Sequence, residues 1–417
     1  MVILSQTNET LDTILSFSKK ITKDIIVKRL ESIDDDYYCF LDHSRFELIS
    51  KRPRTLLTSY GIITYNRRYY YDHHYERYIY LLDNQLEIPP NIRMSNELIL
   101  KILDLASSMT YKEVGKHLSD EFELSKFTIC QVIKNASIEA IYNKNINRKR
   151  MKVHLQIDEK FVGMIDSKQK KKYYTATIFA GKKLIGKKRH QLLNKTVLSS
   201  SSLMRLKERI NYHLKKRYKV KQDEEIYLSG DLASYIQNFK DDIHVCKARY
   251  VPDKFHVYKT LRDLLPDLIV DAYSLNNKGF RKWVANQLEE KYPEDTDAKK
   301  IVRLIKNNSN CFQAYLDKKY LGCSQEGQNS HIYSPRFGKY ANRFAPSTIE
   351  KLSLIREAIA MDSTIKIAAK GREIDEKIEI DLPKYDFSEL EKFTLDTREM
   401  KYETRKMFEQ IKYGNYN

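Results

Sequence analysis

The spacing of hydrophobic residues changes several times along the chain, and each change indicates a new kind of secondary structure. Apolar residues recur at helical spacing from Asn8 to about Ser32, which predicts an N-terminal helix. Residues 52–83 are rich in Thr, Ile and Tyr, which predicts a small β-sheet with a hairpin turn at Tyr60-Gly61. The arginines and tyrosines from Arg67 to Tyr71 either contact a nucleic acid or form the half-exposed face of that sheet.

Three helices are predicted between residue 95 and about residue 136, each preceded by a residue that can cap its first turn. The capping residues are Ser95, Thr110, which starts a capping box with Glu113, and Ser125. This order resembles a helix-turn-helix whose last helix enters the major groove of DNA, but a generic three-helix bundle has the same pattern. A basic segment from Lys144 to Lys152 follows, and its composition indicates a junction between domains.

From residue 151 onwards, short apolar strands alternate with helices. Residues 151–160 alternate polar and apolar side chains and end in acids, and two further strands are predicted at 161–165 and 173–181. A helix at 202–218, a strand that ends at Asp231, a short helix and a strand that ends at Asp253 follow. This order predicts an α/β fold with a mixed sheet, followed by a long polar segment with a helical pattern.

Charge and composition narrow the possible partners. The 417 residues include 74 Lys and Arg and 56 Asp and Glu, which gives a net charge of +18. This excess suggests a polyanionic partner, most simply nucleic acid, although codon usage in an AT-rich genome would also enrich lysine. The five cysteines form no C-x-x-C pair, which argues against a disulfide framework or a cysteine-rich zinc site. Without a long apolar run or a secretory pattern at the N-terminus, we expect a cytoplasmic protein.

Two acids, Asp158 and Asp231, stand at the polar ends of apolar strands, where side chains of neighbouring strands can converge. Converging carboxylates repel one another unless a cation neutralises them, and oxygen ligands favour Mg²⁺ or Mn²⁺ over zinc. Two such ions activate a nucleophilic oxygen and stabilise the leaving oxygen in phosphoryl transfer. The alternative is that each acid only caps the helix that follows it. A third acid, Glu326, lies far along the chain, and the pattern cannot show whether it approaches the other two.

Four motifs occur in a fixed order: Gln-Ile-Asp158-Glu, Ser-Gly-Asp231-x-Ala-Ser-Tyr-Ile, Pro-Asp253-Lys-Phe-His256 and Gly-Cys-Ser-Gln-Glu326-Gly-x-x-Ser-His331. Upstream, the stretch R-x-L-x-T-x-x-G-x-I-T-Y-N-R-R-Y-Y precedes Leu-Leu-Asp83 and a Tyr111-Lys-Glu-Val segment. Together these motifs resemble the ISLre-type family of bacterial insertion-sequence transposases, from about residue 30 to residue 360. The chain departs from the family pattern at Leu232 and Tyr235, where the family usually has glycine and tryptophan.

The resemblance implies an α/β RNase H-like catalytic core with a helical insertion, preceded by a small β-containing segment and a helix-turn-helix-like DNA-binding region. It makes Asp158, Asp231 and Glu326 the catalytic triad and the ligands of two Mg²⁺ or Mn²⁺ ions. Asp253, His256, His331 and Arg336 would support the site, the last two through DNA phosphates, unless the histidines are structural. The implied segments are 1–94, 95–150 for DNA binding, 151–260 for the first part of the core, 261–320 for the insertion, 321–362 for the glutamate and 363–417 for a C-terminal tail region.

Basic residues outside the triad are expected to bind the DNA backbone whatever its sequence. They are Arg148, Lys149, Arg150, Lys215, Lys216 and Arg217. The resemblance implies a metal-dependent DNA transposase that binds element-end repeats and target DNA as a homo-oligomer and associates with the nucleoid when bound to DNA. The alternatives are a catalytically inactive or domesticated DNA-binding relative, and an RNA-processing nuclease on the same fold.

Overall fold

The computed structural model describes residues 6–86, 88, 92–141, 146, 148, 151–187, 189–338, 343–361 and 363–369. The chain divides into two compact units. Within the described residues, the first unit comprises 6–23, 55–63 and 92–369, and the second comprises 24–54 and 64–88. Among the described helices, none combines the length and the apolar character that are needed to span a membrane.

A long helix and a three-stranded sheet begin the chain. The elements are helix α1 (Gln6–Phe40), strands β1 (Phe46–Thr58), β2 (Gly61–Asp72) and β3 (Arg77–Ile79), and helix α2 (Leu81–Gln85). Helix α1 extends beyond the end predicted at Ser32, and the strands pair in the order β1-β2-β3. The turn predicted at Tyr60-Gly61 joins β1 to β2, and the φ of +116° at Gly61 is one that residues with a side chain rarely adopt.

Arg67 and Arg68 lie inside the second unit rather than on a surface that could contact a nucleic acid. They are only 8% and 7% exposed. Arg68 pairs with Asp34 at 2.7 Å, while Arg67 and Arg54 both pair with Asp83. Burial lowers the pKa of Arg67 to about 10. Of the two interpretations left open for this stretch, contact with a nucleic acid does not hold for these two arginines, because their charges are paired within the interior of the unit.

The three helices predicted after residue 95 are present as α3 (Asn96–Ala106), α4 (Tyr111–His117) and α5 (Lys126–Asn135). Their predicted caps are confirmed, since Ser95, Thr110 and Ser125 each accept a hydrogen bond from the backbone N–H three residues on. Glu113 completes the capping box of α4. After α5 the chain forms strand β4 (Ala136–Ile141), which pairs antiparallel with β12 (Thr364–Ala369).

Helices α3 to α5 do not have a hydrophobic core of their own. Their buried residues form one cluster with the later helices α12 (Gln325–Ile332), α13 (Ser334–Phe337) and α14 (Pro346–Ala360). The same cluster includes Val162, Tyr173 and Val197 of the central sheet. The predicted boundary at residue 150 therefore does not separate two hydrophobic cores.

The central sheet confirms the predicted mixture of parallel and antiparallel strands. Its strands are β5 (His154–Gly163), β6 (Lys170–Phe179), β9 (Thr196–Ser200), β10 (Glu225–Gly230) and β11 (Lys247–Pro252), in the order β11-β10-β5-β6-β9. Strands β5, β6 and β9 are antiparallel, whereas β10 and β11 run parallel to β5. The predicted strand at 161–165 is wrong, because residues 161–163 continue β5.

Strand β9 and a separate hairpin, β7 (Lys182–Gly186) with β8 (Arg189–Leu192), were not predicted. The helices between the strands are α6 (Leu203–Lys216), α7 (Ser234–Asn238) and α8 (Lys254–Leu264). Leu155 and Ile157 of β5 pack into the cluster that contains the buried residues of α6. Since successive residues of a strand point to opposite faces, Gln156 and Asp158 lie on the other face.

The segment predicted to be a helical insertion, 261–320, is helical. It contains the end of α8, helices α9 (Ala272–Asn276), α10 (Lys278–Lys291) and α11 (Thr296–Asn307), and a 3-10 helix (Ser309–Leu316). Leu275, Val284, Leu288 and Ile301 are among the residues that join the cluster of the central sheet. The insertion therefore packs onto the sheet and leads directly to α12, which contains Glu326.

Arg148 is a structural residue rather than a DNA contact. Its guanidinium pairs with Glu224 and donates hydrogen bonds to the carbonyl oxygens of Tyr218 at 2.7 Å and Lys219 at 3.3 Å. The side chain is 14% exposed. Arg148 thus connects the start of the α/β region to the turn between α6 and β10. The prediction that it binds DNA is wrong, because these partners occupy its hydrogen-bond donors.

Replacing Arg148 by alanine is therefore expected to destabilise the fold rather than to weaken DNA binding selectively. Loss of a mostly buried ion pair with additional hydrogen bonds should lower the free energy of unfolding by roughly 2–4 kcal/mol. Thermal unfolding followed by circular dichroism measures this. The control is Lys215→Ala, an exposed residue whose loss should change stability by no more than about 0.5 kcal/mol. An Arg148→Ala protein of unchanged stability would contradict the assignment.

Candidate functional site

Three aspartates lie at the same end of three neighbouring strands. Asp158 belongs to β5, while Asp231 and Asp253 directly follow β10 and β11. Ser229 pairs with Gln156 in the parallel β5–β10 ladder, and two residues further this register reaches Asp231 and Asp158. The β10–β11 register continues in the same way to Asp253. Since neighbouring strands lie about 5 Å apart, the three carboxylates form a row across the sheet.

A glycine allows β10 to approach β5 closely just before Asp231. A Cβ atom on Gly230 would lie only 2.6 Å from the carbonyl oxygen of Ile157. After the strand, the Tyr250 hydroxyl donates a hydrogen bond of 2.7 Å to the carbonyl oxygen of Asp231. The backbone N–H of Ala233 donates to Asp231 Oδ1 at 2.9 Å. These contacts therefore fix the backbone immediately before and after Asp231.

Asp158 is a carboxylate that is costly to ionise. Burial raises its pKa to about 6, and the charge of Asp231 contributes to the shift. Two donors oppose this effect: the backbone N–H of Glu159 lies 2.7 Å from Oδ1, and the side-chain amide of Asn329 lies 2.7 Å from Oδ2. A carboxylate whose pKa stays high despite two donors is one that a nearby cation would stabilise.

The fourth acid, Glu326, belongs to the same electrostatic group. Burial raises the pKa of Asp253, and the charges of Glu326 and Asp231 raise it further. His256 acts in the opposite direction, with Nε2 3.7 Å from Asp253 Oδ2. Glu326, exposed at the start of α12, thus contributes to the electrostatics of Asp253, which the sequence pattern could not show.

The position of α12 is set by an amide side chain of the central sheet. Gln156 Nε2 donates to the carbonyl oxygen of Gly322 at 2.8 Å, and its Oε1 accepts a hydrogen bond from the backbone N–H of Ser324 at 3.1 Å. Gln156 is fully buried, so both halves of its amide need partners. These two bonds hold the segment that leads into α12 and therefore the helix end that carries Glu326.

Several site residues were missed by the sequence analysis, and the spacing of polar residues could have found them. Gln156 and Lys160 share the face of β5 that Asp158 occupies, because residues two apart point the same way. Gln325 and Asn329 lie four apart on one face of α12, and Gln325 donates to the hydroxyl of Thr175 in β6 at 3.2 Å. The signal in the sequence was a set of polar residues spaced two apart along an otherwise apolar strand.

Lys160 provides a positive charge beside the acids. Its ammonium group donates to the hydroxyl of Ser334 at 2.7 Å. Burial lowers the pKa of Lys160, whereas the charge of Asp158 raises it. A half-buried ammonium group next to carboxylates is suited to an oxygen of a bound phosphate.

Tyr235 places a phenol near the same acids. Burial raises its pKa, and the charges of Glu159, Asp231 and Asp158 raise it further, so the hydroxyl keeps its proton. The hydroxyl is buried, and Glu159 is the carboxylate whose hydrogen bond with it contributes to the raised pKa. The ring faces the ammonium group of Lys172 at 5.6 Å. Tyr235 is therefore a hydrogen-bond donor that stands beside the carboxylates.

The four carboxylates are chemically suited to a divalent cation, but their side chains do not converge on a common point. Four carboxylates supply only oxygen ligands, which suits Mg²⁺ or Mn²⁺. As the described side chains stand, no three His, Cys, Asp or Glu are close enough to hold an ion. Asp158, Asp231 and Asp253 each accept hydrogen bonds from nearby N–H groups instead. The prediction that Asp158, Asp231 and Glu326 bind two ions stays a prediction.

Arg336 was predicted to contact DNA phosphates and is buried instead. It is 2% exposed, and its Nε donates a hydrogen bond of 2.8 Å to the carbonyl oxygen of Ala106 at the end of α3. Its guanidinium also lies 4.7 Å from the ring centre of Phe344. The prediction for Arg336 is wrong, because its donors hold α13 to α3. His331 remains exposed on α12.

The other residues predicted to bind DNA differ in exposure, and two of them are not described by the structure. Lys215 and Lys216 are exposed at the C-terminal end of α6, and Arg217 next to them is half-buried. Lys149 and Arg150 lie outside the described residues. Contact of these residues with DNA stays a prediction.

Comparison with known proteins identifies the family. The model of an uncharacterised protein family, UPF0236, matches residues 5–347, so the chain belongs to this family. One relative, a UPF0236 protein of Caldanaerobacter subterraneus subsp. tengcongensis, is 27% identical over an alignment of 305 residues that covers 69% of this chain. Two others from the same organism, also named only as UPF0236 proteins, are 28% identical over 306 residues, again 69% of this chain. The match covers 64%, 64% and 60% of the lengths of these three relatives, less than two thirds of each.

The resemblance to the ISLre-type transposase family is therefore corrected. The family that matches is UPF0236, which is uncharacterised, and these relatives carry no name other than that of the family. The motifs around Asp158, Asp231, Asp253 and Glu326 consequently need an explanation from their own geometry rather than from a named family.

The high pKa of Asp158 predicts a pH-dependent effect of Asp158→Asn in metal-free buffer. Between the ordinary value of 3.8 and about 6, the folded protein keeps a proton that the unfolded chain releases, so Asp158 costs stability as the pH rises. The variant lacks this cost. Relative to the unchanged protein, its free energy of unfolding should therefore rise by roughly 1–2 kcal/mol from pH 4.5 to pH 7, allowing for solvent screening.

Urea unfolding at the two pH values measures this difference. Asp166→Asn is the matched control, because Asp166 is exposed and its pKa is lowered by hydrogen bonding to Lys171. The control should lose stability relative to the unchanged protein as the pH rises, or should show no trend. A pH-independent effect of Asp158→Asn would mean that Asp158 ionises as an ordinary carboxylate.

Proposed function

We propose that this UPF0236 protein is an enzyme that cuts and joins DNA by metal-dependent phosphoryl transfer, as a transposase does. The observation that carries the proposal is the alignment of Asp158, Asp231 and Asp253 at one end of the central sheet, where burial raises the pKa of Asp158 and of Asp253. Perturbed carboxylates that cluster on separate elements are more common at functional sites than elsewhere. Oxygen ligands of this kind suit the cations that assist phosphoryl transfer.

We also propose that the central sheet is an RNase H-like core. Three antiparallel strands, β5, β6 and β9, are extended on the free side of β5 by the parallel strands β10 and β11. Asp158 lies on β5, the middle strand of this order, and Asp231 directly follows the neighbouring strand β10. This strand order and the position of the acids support the proposal.

In the proposed mechanism, Asp158, Asp231 and Glu326 would hold two Mg²⁺ or Mn²⁺ ions, with Asp253 beside them. When bound, such ions supply activation of the attacking oxygen and stabilisation of the leaving oxygen. Lys160 would orient the phosphate through its half-buried ammonium group. The protonated hydroxyl of Tyr235 would donate a hydrogen bond to an oxygen of the substrate.

Two further facts support DNA as the substrate. The net charge of +18 favours a polyanionic partner. The printed name of one relative, 27% identical over 307 residues, joins eleven locus designations of a single strain. A protein encoded at many places in one genome is what a mobile DNA element produces. Because joining two element ends to one target needs two catalytic sites, we also propose that the enzyme works as a homo-oligomer on DNA at the nucleoid.

A catalytically inactive DNA-binding relative is the second candidate. It is favoured by the state of the acids, since both oxygens of Asp158 already accept hydrogen bonds and no three described acids converge. Asp231 and Asp253 each accept a backbone hydrogen bond from the residue two positions later, as a purely structural capping residue does. The two candidates make opposite predictions for cleavage.

Asp231→Asn should abolish DNA cleavage without abolishing DNA binding. The substitution preserves the size of the side chain and its acceptor for the N–H of Ala233, but it removes a charge that the ions require. Cleavage and strand joining in Mg²⁺ or Mn²⁺ should fall at least about 100-fold. Duplexes taken from the DNA that flanks the gene are the substrates, and an electrophoretic mobility shift measures binding in parallel.

The matched control is Asp263→Asn, which removes the same charge from an exposed position on α8. The control should cleave like the unchanged protein. Cleavage that survives Asp231→Asn would refute the assigned carboxylates. An unchanged protein that binds these duplexes but cuts none of them with either metal would favour the inactive relative.

A further inference from the structure

A second concave site lies in the first unit and contains none of the four acids. It is a cavity of about 640 Å³, within the range of about 300–1,000 Å³ that small-ligand sites occupy. The β7–β8 hairpin, the turn before β9, the C-terminal end of α6, helix α12 and the end of α14 supply its walls. It therefore adjoins the helix that carries Glu326 without being part of the carboxylate site.

The charges of this cavity favour an anionic ligand. Among the described residues, its lining includes Lys195 and Arg217 and no acidic residue. Lys195 is half-buried, and burial lowers its pKa. Its ammonium group donates a long hydrogen bond of 3.4 Å to the neutral Oε1 of Gln328, and among the described residues no carboxylate forms an ion pair with it. A partly desolvated cation without a carboxylate is costly, and an anion in the cavity would offset that cost.

The remaining walls are suited to a planar heterocycle rather than to an inorganic anion alone. Ile185, Leu192 and Met361 supply apolar surface. The amide of Asn194 donates to the carbonyl oxygen of Ala180 and keeps its oxygen as an acceptor, and the amide of Gln328 accepts from Lys195 and keeps its nitrogen as a donor. The two remaining groups match the acceptors and donors on the edge of a nucleobase. The cations would bind a phosphate, the apolar side chains would pack against a ring, and the amide groups would pair with the polar edge of that ring.

We propose that this cavity binds one nucleotide unit of a nucleic-acid strand, with the phosphate at Lys195 and Arg217 and the base between the apolar and amide walls. Exposed cations continue from the cavity in two directions, with Lys183 and Lys187 on the hairpin and Lys215 at the end of α6. These cations form a path for the backbone of a strand.

The inference rests on the proposed function only in taking a DNA strand as the source of the nucleotide. Gln328, which contacts Lys195, and Asn329, which contacts Asp158, are adjacent residues of α12. A strand held at the cavity would thus contact the same helix that supplies Glu326 to the carboxylate site.

Binding in the absence of metal tests the proposal. The probe is a fluorescein-labelled thymidine octanucleotide in EDTA, with affinity measured by fluorescence anisotropy. Lys195→Met should weaken binding at least about tenfold, because a charge-assisted hydrogen bond to the phosphate is lost. Lys291→Met removes an equal charge from an exposed position at the end of α10, outside the cavity and outside this path, and should weaken binding no more than about threefold. Lys195→Arg retains the charge and should largely restore affinity. Thermal unfolding of each variant checks that it is folded.

Competition identifies the ligand. Free thymidine monophosphate should displace the labelled strand from the unchanged protein and should do so much less well from Lys195→Met. Inorganic phosphate at the same concentration should displace little. Equal displacement by inorganic phosphate, or by hexaglutamate, would overturn the nucleotide assignment. An effect of Lys195→Met no larger than that of Lys291→Met would overturn the site. Since no cleavage is measured, a protein that never cuts DNA but binds the strand through Lys195 would refute the proposed function alone.

Discussion

Mutual repulsion of the acids at the ends of β5, β10 and β11 is the constraint on which the candidate site depends. The parallel pairing of these strands aligns Asp158, Asp231 and Asp253, and partial burial strengthens the repulsion between their charges. Backbone N–H groups and one amide side chain offset part of this cost. Among the described residues, no lysine or arginine forms an ion pair with these acids or with Glu326. Under the proposed function, this negative charge is what a bound cation would neutralise.

Polar contacts between the sheet and α12 hold the helix that carries Glu326. A polar face on a buried strand is costly unless its hydrogen bonds are satisfied. Gln156 satisfies both ends of its amide with the segment just before α12, and Asn329 of that helix bonds to Asp158. The same bonds that satisfy the buried face therefore position the fourth acid. The hydrogen bonds that the buried polar face requires therefore also fix the geometry of the site.

The predictability of each feature from the sequence depends on how local its causes are. The caps at Ser95, Thr110 and Ser125 were predicted correctly because the capping residue and its partner are three positions apart. The positions of Glu326 and Arg336 were not predictable, since they depend on contacts with residues far away in the sequence. Arg148 was misread because a basic residue alone gives no indication that its partner is Glu224.

Iron-directed cleavage of the polypeptide tests most directly whether the four acids form one cation site. Fe²⁺ in place of Mg²⁺, with ascorbate and peroxide, produces hydroxyl radicals that cut the backbone near the bound ion, and mass spectrometry locates the cuts. The account predicts cuts next to Asp158, Asp231, Asp253 and Glu326 together, all suppressed by excess Mg²⁺. Cuts near only one of these residues, or a pattern that Mg²⁺ does not change, would contradict it.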